Sequence, residues 1–388
     1  MRFIVSTAPG LEPLLAEELQ ELGLETTPSG AGALTFEGEW LDAARVMTNS
    51  RIGSRLMLSI KEFSAKNSAM LYDQVRRVKW TDWLTTETTF AVSVHGSVVG
   101  TDFALSFAPL KIKDAICDEM KKLGVDRPNI DRKTPDVRIE AFVNSGRCEI
   151  SIDLGKEPLH RRGYRTSGGE APLRENRAAA LLKFVGYDGS QPFWDPFCGS
   201  GTIAIEAALI ATHTAPGLLK EPQSYANIWA ERPDARDALK VARKEAEAKR
   251  IKKAPASIRA SDKSAKALDE TRANIRRAGF LDSIQVGKAD ASQIEAPDHF
   301  IVCNPPYGVR LEEQEHAAEI LADFTRQVKH KSTGSTLGLV VEAGMLEKAV
   351  GFKPARKMNI QNGQMLTKFL KYEIFSGKRE VKKESTNS

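Results

Sequence analysis

Cysteine is scarce in this sequence. Cys117, Cys148, Cys198 and Cys303 are the only four in 388 residues, and no two stand as a Cys-x-x-Cys pair. Such isolation excludes a zinc ribbon or a disulfide framework and predicts reduced thiols in a cytoplasmic protein that holds no metal. Long apolar runs are missing too. None approaches the roughly 18 residues that a membrane-spanning helix needs, and nothing at the start reads as a secretory leader, so neither membrane insertion nor export is expected. The main glycine-rich turn lacks the Gly-Lys-Ser/Thr ending of a Walker loop, and no short-period repeat is visible.

What is present is ordinary for a globular enzyme. The chain is 41% apolar and 28% charged, long enough for two or three domains with sizeable cores. A formal charge of +5 and a pI near 8.9 mildly favour a polyanionic partner, though many enzymes share that balance. The composition names no oligomeric state.

Residues 1–60 read β-α-β-α-β. In the helix Gly10–Gly23, Leu11, Leu14, Leu15, Leu19 and Leu22 share one face, and Glu12, Glu17, Glu18 and Glu21 the other. This acidic stretch is a poor nucleic-acid surface and reads as packing or spacing. Residues 61–156 form a second small α/β unit, with helices at Ser68–Val78 and Ala108–Leu123. Strands Val137–Asn144 and Arg147–Leu154 are joined by the hairpin signature Asn144-Ser145-Gly146. Lys111 and Lys113 lie on the second helix as phosphate contacts or as a solvated face balanced by Asp114, Asp118 and Glu119. Residues 157–171 are a basic linker. There Arg161, Arg162 and Arg165 are placed to contact phosphates and Tyr164 to stack on a base; an ordinary charged linker is the plainer reading.

From about residue 172 to 376 the pattern becomes a doubly wound α/β sheet. Residues 213–256 interrupt it as an insertion of unassigned role, and 377–388 read as a disordered basic tail. Two turns in this half carry chemistry. Asp195-Pro196-Phe197-Cys198-Gly199-Ser200-Gly201-Thr202 follows the first strand, and its glycines allow close backbone approach to a ligand. Asp262 ends the second strand, where a carboxylate accepts from ribose hydroxyls, and Asp290 ends the third, where it can accept from an adenine amine. Each Asp alone reads equally as a helix N-cap. In succession they suit an adenosyl ligand with a cationic group, because Asp195 would repel phosphates. The fourth strand delivers Asn304-Pro305-Pro306-Tyr307. The Asn304 side-chain oxygen and the Pro305 carbonyl can accept both hydrogens of a planar exocyclic amine, and Tyr307 can stack on the base. Catalysis then rests on orientation and electrostatics.

These motifs, with Ser6-Thr7-Ala8-Pro9-Gly10-Leu11-Glu12, Pro128-Asn129-Ile130-Asp131-Arg132, Leu159-His160-Arg161-Arg162-Gly163-Tyr164-Arg165 and the extension of the last motif through Gly308-Val309-Arg310-Leu311, make the chain resemble a known family. It resembles class I S-adenosylmethionine-dependent amino-methyltransferases, and within them bacterial RNA guanine-N2 methyltransferases that carry ferredoxin-like and THUMP regions. The large-subunit (23S) ribosomal RNA group is the nearest in pattern. The resemblance implies a Rossmann-like sheet of seven strands with the last antiparallel, preceded by a ferredoxin-like and a THUMP domain. It implies S-adenosylmethionine as cofactor, with Asp195, Cys198, Gly199 and Gly201 around its methionine end, Asp262 on the ribose and Asp290 on the adenine, and with Phe197, Thr202 and Asn304 also among its contacts. Pro172, Glu175 and Asn176 match a segment that closes over the cofactor; Asn304, Pro305, Pro306 and Tyr307 would hold the target base. The family often has Glu where Val309 stands. Some members are fused to a second methyltransferase, an activity not expected of this chain. The implied partner is structured RNA: 23S rRNA or its precursor. Rival readings are a transfer-RNA guanine-N2 methyltransferase, a DNA adenine-N6 methyltransferase, and an RNA-binding assembly factor without catalysis.

Overall fold

The computed structural model describes residues 1–165, 173–221, 224–306, 311–362 and 365–376. Pro172, Tyr307, Val309 and the segment 377–388 therefore lie outside the described residues. The chain divides into two compact units. The first is Met1–Thr7, Leu15–Arg162 and Pro216–Ala248; the second is Ala8–Leu14, Gly163–Ala215 and the chain from Lys249 onward.

The first unit holds an eight-stranded sheet. In chain order its strands are β1 (Arg2–Ser6), β2 (Thr27–Pro28), β3 (Ala33–Glu37), β4 (Arg55–Ser64), β5 (Thr89–Gly96), β6 (Asn129–Ile130), β7 (Val137–Asn144) and β8 (Arg147–Asp153). Their spatial order is β2-β3-β1-β4-β8-β7-β5-β6. The two small α/β units expected from the sequence thus share one sheet, joined where β4 pairs antiparallel with β8. The reason is the length of β4. It runs on to Ser64 beyond the expected end at Ile60, which gives β8 a partner along its whole length. The hairpin between β7 and β8 turns on Ser145 and Gly146, with φ of 48° and 73°, the left-handed pair a two-residue turn needs. Helices Ser68–Arg76 and Ala108–Lys122 cover the outer part of the sheet, where Leu71, Trp80, Phe90, Ile112, Ile116 and Ile139 form a core.

Glu18 departs from its expected solvent face. It is buried, and its carboxylate accepts from Ser50 Oγ at 2.6 Å and from the Arg51 and Ile52 amides at 2.9 and 3.3 Å. Those donors follow the helix Trp40–Asn49, so Glu18 satisfies the turn that leaves it. Burial raises its pKa above the usual carboxylate range.

Part of the insertion, Pro216–Ala248, also belongs to this first unit rather than to the doubly wound half in which the sequence placed it. Trp229 packs edge-on to Trp40 with centroids 5.5 Å apart, and Arg45 makes a two-bond contact with Glu245, both at 2.9 Å. A Cβ at Gly217 would lie 2.6 Å from Thr48 Cα and 2.9 Å from the Met47 carbonyl oxygen. Both are backbone atoms that cannot yield. Gly217→Ala is therefore expected to cost about 1–3 kcal/mol of stability, read as a lower urea midpoint; an unchanged midpoint would show that the insertion is not docked this tightly.

The second unit carries a seven-stranded sheet, in the order β11-β10-β9-β12-β13-β15-β14. These are β9 (Phe193–Asp195), β10 (Ile258–Asp262), β11 (Ile284–Lys288), β12 (Phe300–Cys303), β13 (Thr336–Glu342), β14 (Arg356–Asn362) and β15 (Met365–Glu373). β9 to β13 pair parallel, and β15 runs antiparallel to both β13 and β14. The final strand is antiparallel as expected; β14 was not foreseen, because Arg356-Lys357-Met358-Asn359 shows no clean alternation. Every residue of β12 is buried, which explains its uninterrupted apolar run.

Candidate active site

Chain order and spatial order differ in the second sheet, and the difference builds the site. Register places Ile284, Ile258, Phe193 and Phe300 side by side at one level. The residues that follow emerge at one rim: Asp290 beyond β11, Asp262 on β10, Asp195 on β9 and Asn304 beyond β12. The chain winds one way from β9 to β10 and the other way to β12, so the crevice between β9 and β12 is a topological switch point, where ligands bind in open α/β sheets. A cavity of about 430 Å³ opens there, lined among others by Phe197, Gly199, Asp262, Asp290, Asn304 and Pro306.

Asp195 is fully buried. Its Oδ1 accepts from the Phe197 amide at 3.3 Å, while Oδ2 has no hydrogen-bond partner among the described residues. Burial, with the Asp262 charge adding to it, pushes its carboxyl well above the usual range. An acceptor held in this way fits a cationic ligand that would restore its ionised form. Gly199, at φ 52°, has nothing within 4 Å of the place a Cβ would take, so the turn leaves room for a ligand against its backbone. Asp262 accepts from the Gly199 amide through Oδ2 at 3.0 Å and from the Ser264 amide through Oδ1 at 2.9 Å. It ties the glycine turn to the second strand, and each oxygen keeps a lone pair for a further donor. Asp290 Oδ1 accepts from the Ser292 amide and hydroxyl at 2.9 and 2.7 Å, and Oδ2 lies 3.0 Å from Lys263 Nζ. The Ser292 hydroxyl is the main reason its carboxyl sits below the usual range. The donor set thus fits an adenosyl ligand bearing a positive charge.

Several of the other expected cofactor residues are held by neighbours within the fold. Gly201 lies under the helix Ala265–Ala278, since a Cβ there would meet Thr271 Cγ2 at 2.9 Å. The buried Cys198 thiol faces Thr271 Oγ1 at 3.6 Å, and burial followed by the Asp195 charge pushes it up, so it is no nucleophile at neutral pH. Thr202 accepts from Arg165, and Glu175 lies 3.9 Å from the same guanidinium; Glu175 and Asn176 are both buried in the first turn of Glu175–Val185. Pro305 is buried beside Asn304.

The basic linker corrects the expectation most. Arg162 is fully buried and donates to the Leu159 and Arg51 carbonyls at 2.6 and 2.5 Å. Tyr164 is 2% exposed with its hydroxyl 3.3 Å from Glu206 Oε1, and Arg165 donates to Thr202 and to the Leu173 carbonyl. Arg162 and Tyr164 are buried and so are not presented to phosphate or base; interior carbonyls and a carboxylate accept from them instead, and Arg165 is half-buried against Thr202. Arg161 remains exposed, 3.8 Å from Glu157. Lys113 pairs with Asp114 at 2.8 Å and Lys111 lies 5.0 Å over the Tyr72 ring. Sequence reading missed Lys263, Ser292 and Asp323 at the cavity. Lys263 stands next to Asp262 and was open to inspection; Asp323 reaches the wall only through the placement of helix Leu311–Lys331.

Residues 2–57 match the RlmL ferredoxin-like domain and residues 65–153 the THUMP domain. Ribosomal RNA large subunit methyltransferase K/L of Aliivibrio salmonicida is 32% identical over 369 residues, covering 94% of this chain and 52% of that protein. The chain spans about half the length of the curated relatives it matches. A solved structure from Clostridium difficile 630, described as a possible methylase, is 28% identical with a TM-score of 0.85, covering 98% of this chain and 99% of that one. SMU.472, solved as a complex with SAH, shares the fold at 24% identity and a TM-score of 0.85, covering 97% and 99%. Residues 162–370, more than half of the chain and all four strand-end residues, match the family described as RMKL-like, methyltransferase domain, and the chain belongs to that family.

Proposed function

We propose that the chain transfers a methyl group from S-adenosylmethionine to the exocyclic N2 amine of a guanine in 23S ribosomal RNA, in the cytoplasm. The observation that carries this reading is the placement of Asp290, Asp262, Asp195 and Asn304 on four neighbouring strand ends. Three acids fit the adenosyl donor, and the amide beside them fits an amine acceptor. The name of the curated relatives, with the ferredoxin-like and THUMP matches, supports large-subunit ribosomal RNA as the substrate; guanine N2 as the acceptor rests on the family resemblance of the Asn304 motif. Four buried free cysteines support a reducing compartment.

When bound, S-adenosylmethionine supplies an electrophilic methyl group. The residues of this chain orient its acceptor. Asn304 and the Pro305 carbonyl accept the two amine hydrogens, so the nitrogen lone pair is localised and aimed at the crevice. Asp262 holds the ribose and, through the Gly199 amide, the turn beside it. Asp195, itself buried, balances the positive charge. The amine becomes acidic as its new bond forms, so its proton can leave to solvent and no strong base is required. A paired guanine must first leave its stack.

The test is transfer of a radiolabelled methyl group to 23S rRNA transcripts, followed by nucleoside mass spectrometry. N2-methylguanosine is expected. Label confined to transfer RNA, or N6-methyladenine in duplex DNA, would overturn the substrate assignment.

A further inference from the structure

A second cavity, of about 440 Å³, lies within the first unit. Three elements distant in sequence supply cations to it: Lys61 from β4, Arg77 just after the helix Ser68–Arg76, and Arg232 from the inserted segment. Two further cations at its wall are already matched. Arg2 lies 3.3 and 3.4 Å from Glu62 and Glu149, and Lys79 lies 2.7 Å from Asp82. Among the described residues, Lys61, Arg77 and Arg232 form no ion pair. Lys61 donates to the Gln74 carbonyl at 2.9 Å and lies 5.8 Å over the Phe63 ring. Arg232 stacks 4.7 Å over the Trp83 ring and donates to the Asp82 carbonyl at 3.4 Å. Arg77 is exposed. Burial and then the Arg77 charge hold the Lys61 ammonium below its ordinary pKa, so the two cations are close enough to repel. Gathering like charges costs free energy that an anion in the cleft would offset.

We propose that this cleft is a backbone-binding site for the RNA substrate, in which Lys61, Arg77 and Arg232 contact phosphates and Trp83 holds the Arg232 guanidinium flat. Phosphate contact rests on the cleft alone; the choice of RNA rests on the function proposed above. The contacts position the RNA and carry no base identity. They also give the insertion a role: it brings Arg232 to Trp83.

The test uses the full chain and a fluorescein-labelled stem-loop transcript of large-subunit rRNA, with binding followed by anisotropy across a salt series. Arg77→Gln and Arg232→Gln should each weaken binding roughly tenfold at low salt and reduce the slope of log affinity against log salt by about one, the signature of one lost phosphate contact. S-adenosylmethionine affinity, measured by calorimetry, should stay unchanged in both. Arg77 is exposed and free of an ion pair, so its variant reads binding and not folding. Unchanged RNA affinity and slope in both variants would overturn the cleft while leaving the proposed function standing. If the unaltered protein binds duplex DNA and not the transcript, both the RNA occupant and the RNA function fall together.

Discussion

Asn304→Ala is expected to lower single-turnover methyl transfer by about a hundred- to a thousand-fold, with little change in S-adenosylmethionine affinity by calorimetry. The amide sits half-buried directly after a fully buried strand and lines the crevice at the switch point. Alanine removes the side-chain acceptor and leaves the Pro305 carbonyl alone to direct the amine, so orientation is lost while the cofactor end of the crevice stays intact. Asn304→Asp keeps an acceptor of the same shape and should recover part of the rate, which separates loss of chemistry from loss of fold. Transfer by the alanine variant within a few-fold of the parent would remove Asn304 from the role given to it.

Asp262→Ala is expected to act on binding instead. Its carboxylate accepts from the Gly199 and Ser264 amides, so alanine takes away the ribose acceptor and frees the glycine turn at once. Losing hydrogen bonds to a charged group costs about 1.5–3 kcal/mol, which is roughly a ten- to hundred-fold weaker affinity for S-adenosylmethionine. Asp262→Asn keeps one acceptor and should fall between the two. Affinity in the alanine variant equal to the parent would mean that the ligand does not use this strand end.

Much of this site could be read from residues alone. Asp195, Asp262 and Asn304 were legible because each ends or directly follows a short strand, and strand ends are where an α/β sheet presents side chains to a ligand. The basic linker misled for a physical reason. Composition reports that Arg162 and Tyr164 are polar, but not that the Leu159 and Arg51 carbonyls and Glu206 wait in the interior to receive them. Glu18 misled in the same way: a helix period gives the face, and only the approach of the Ser50–Ile52 turn shows that its carboxylate has buried donors.

The sequence by itself determined the sheet type, the order of the strand-end residues along the chain, and the family, because these depend on local spacing and on motifs a few residues long. Tertiary structure alone decided that β4 and β8 fuse the two small units into one sheet, that the insertion packs with the first unit, and that Lys61, Arg77 and Arg232 meet in one cleft. Those facts depend on contacts between residues far apart in the chain, and the energy that selects them, from packing and paired charges, is set only when the elements come together.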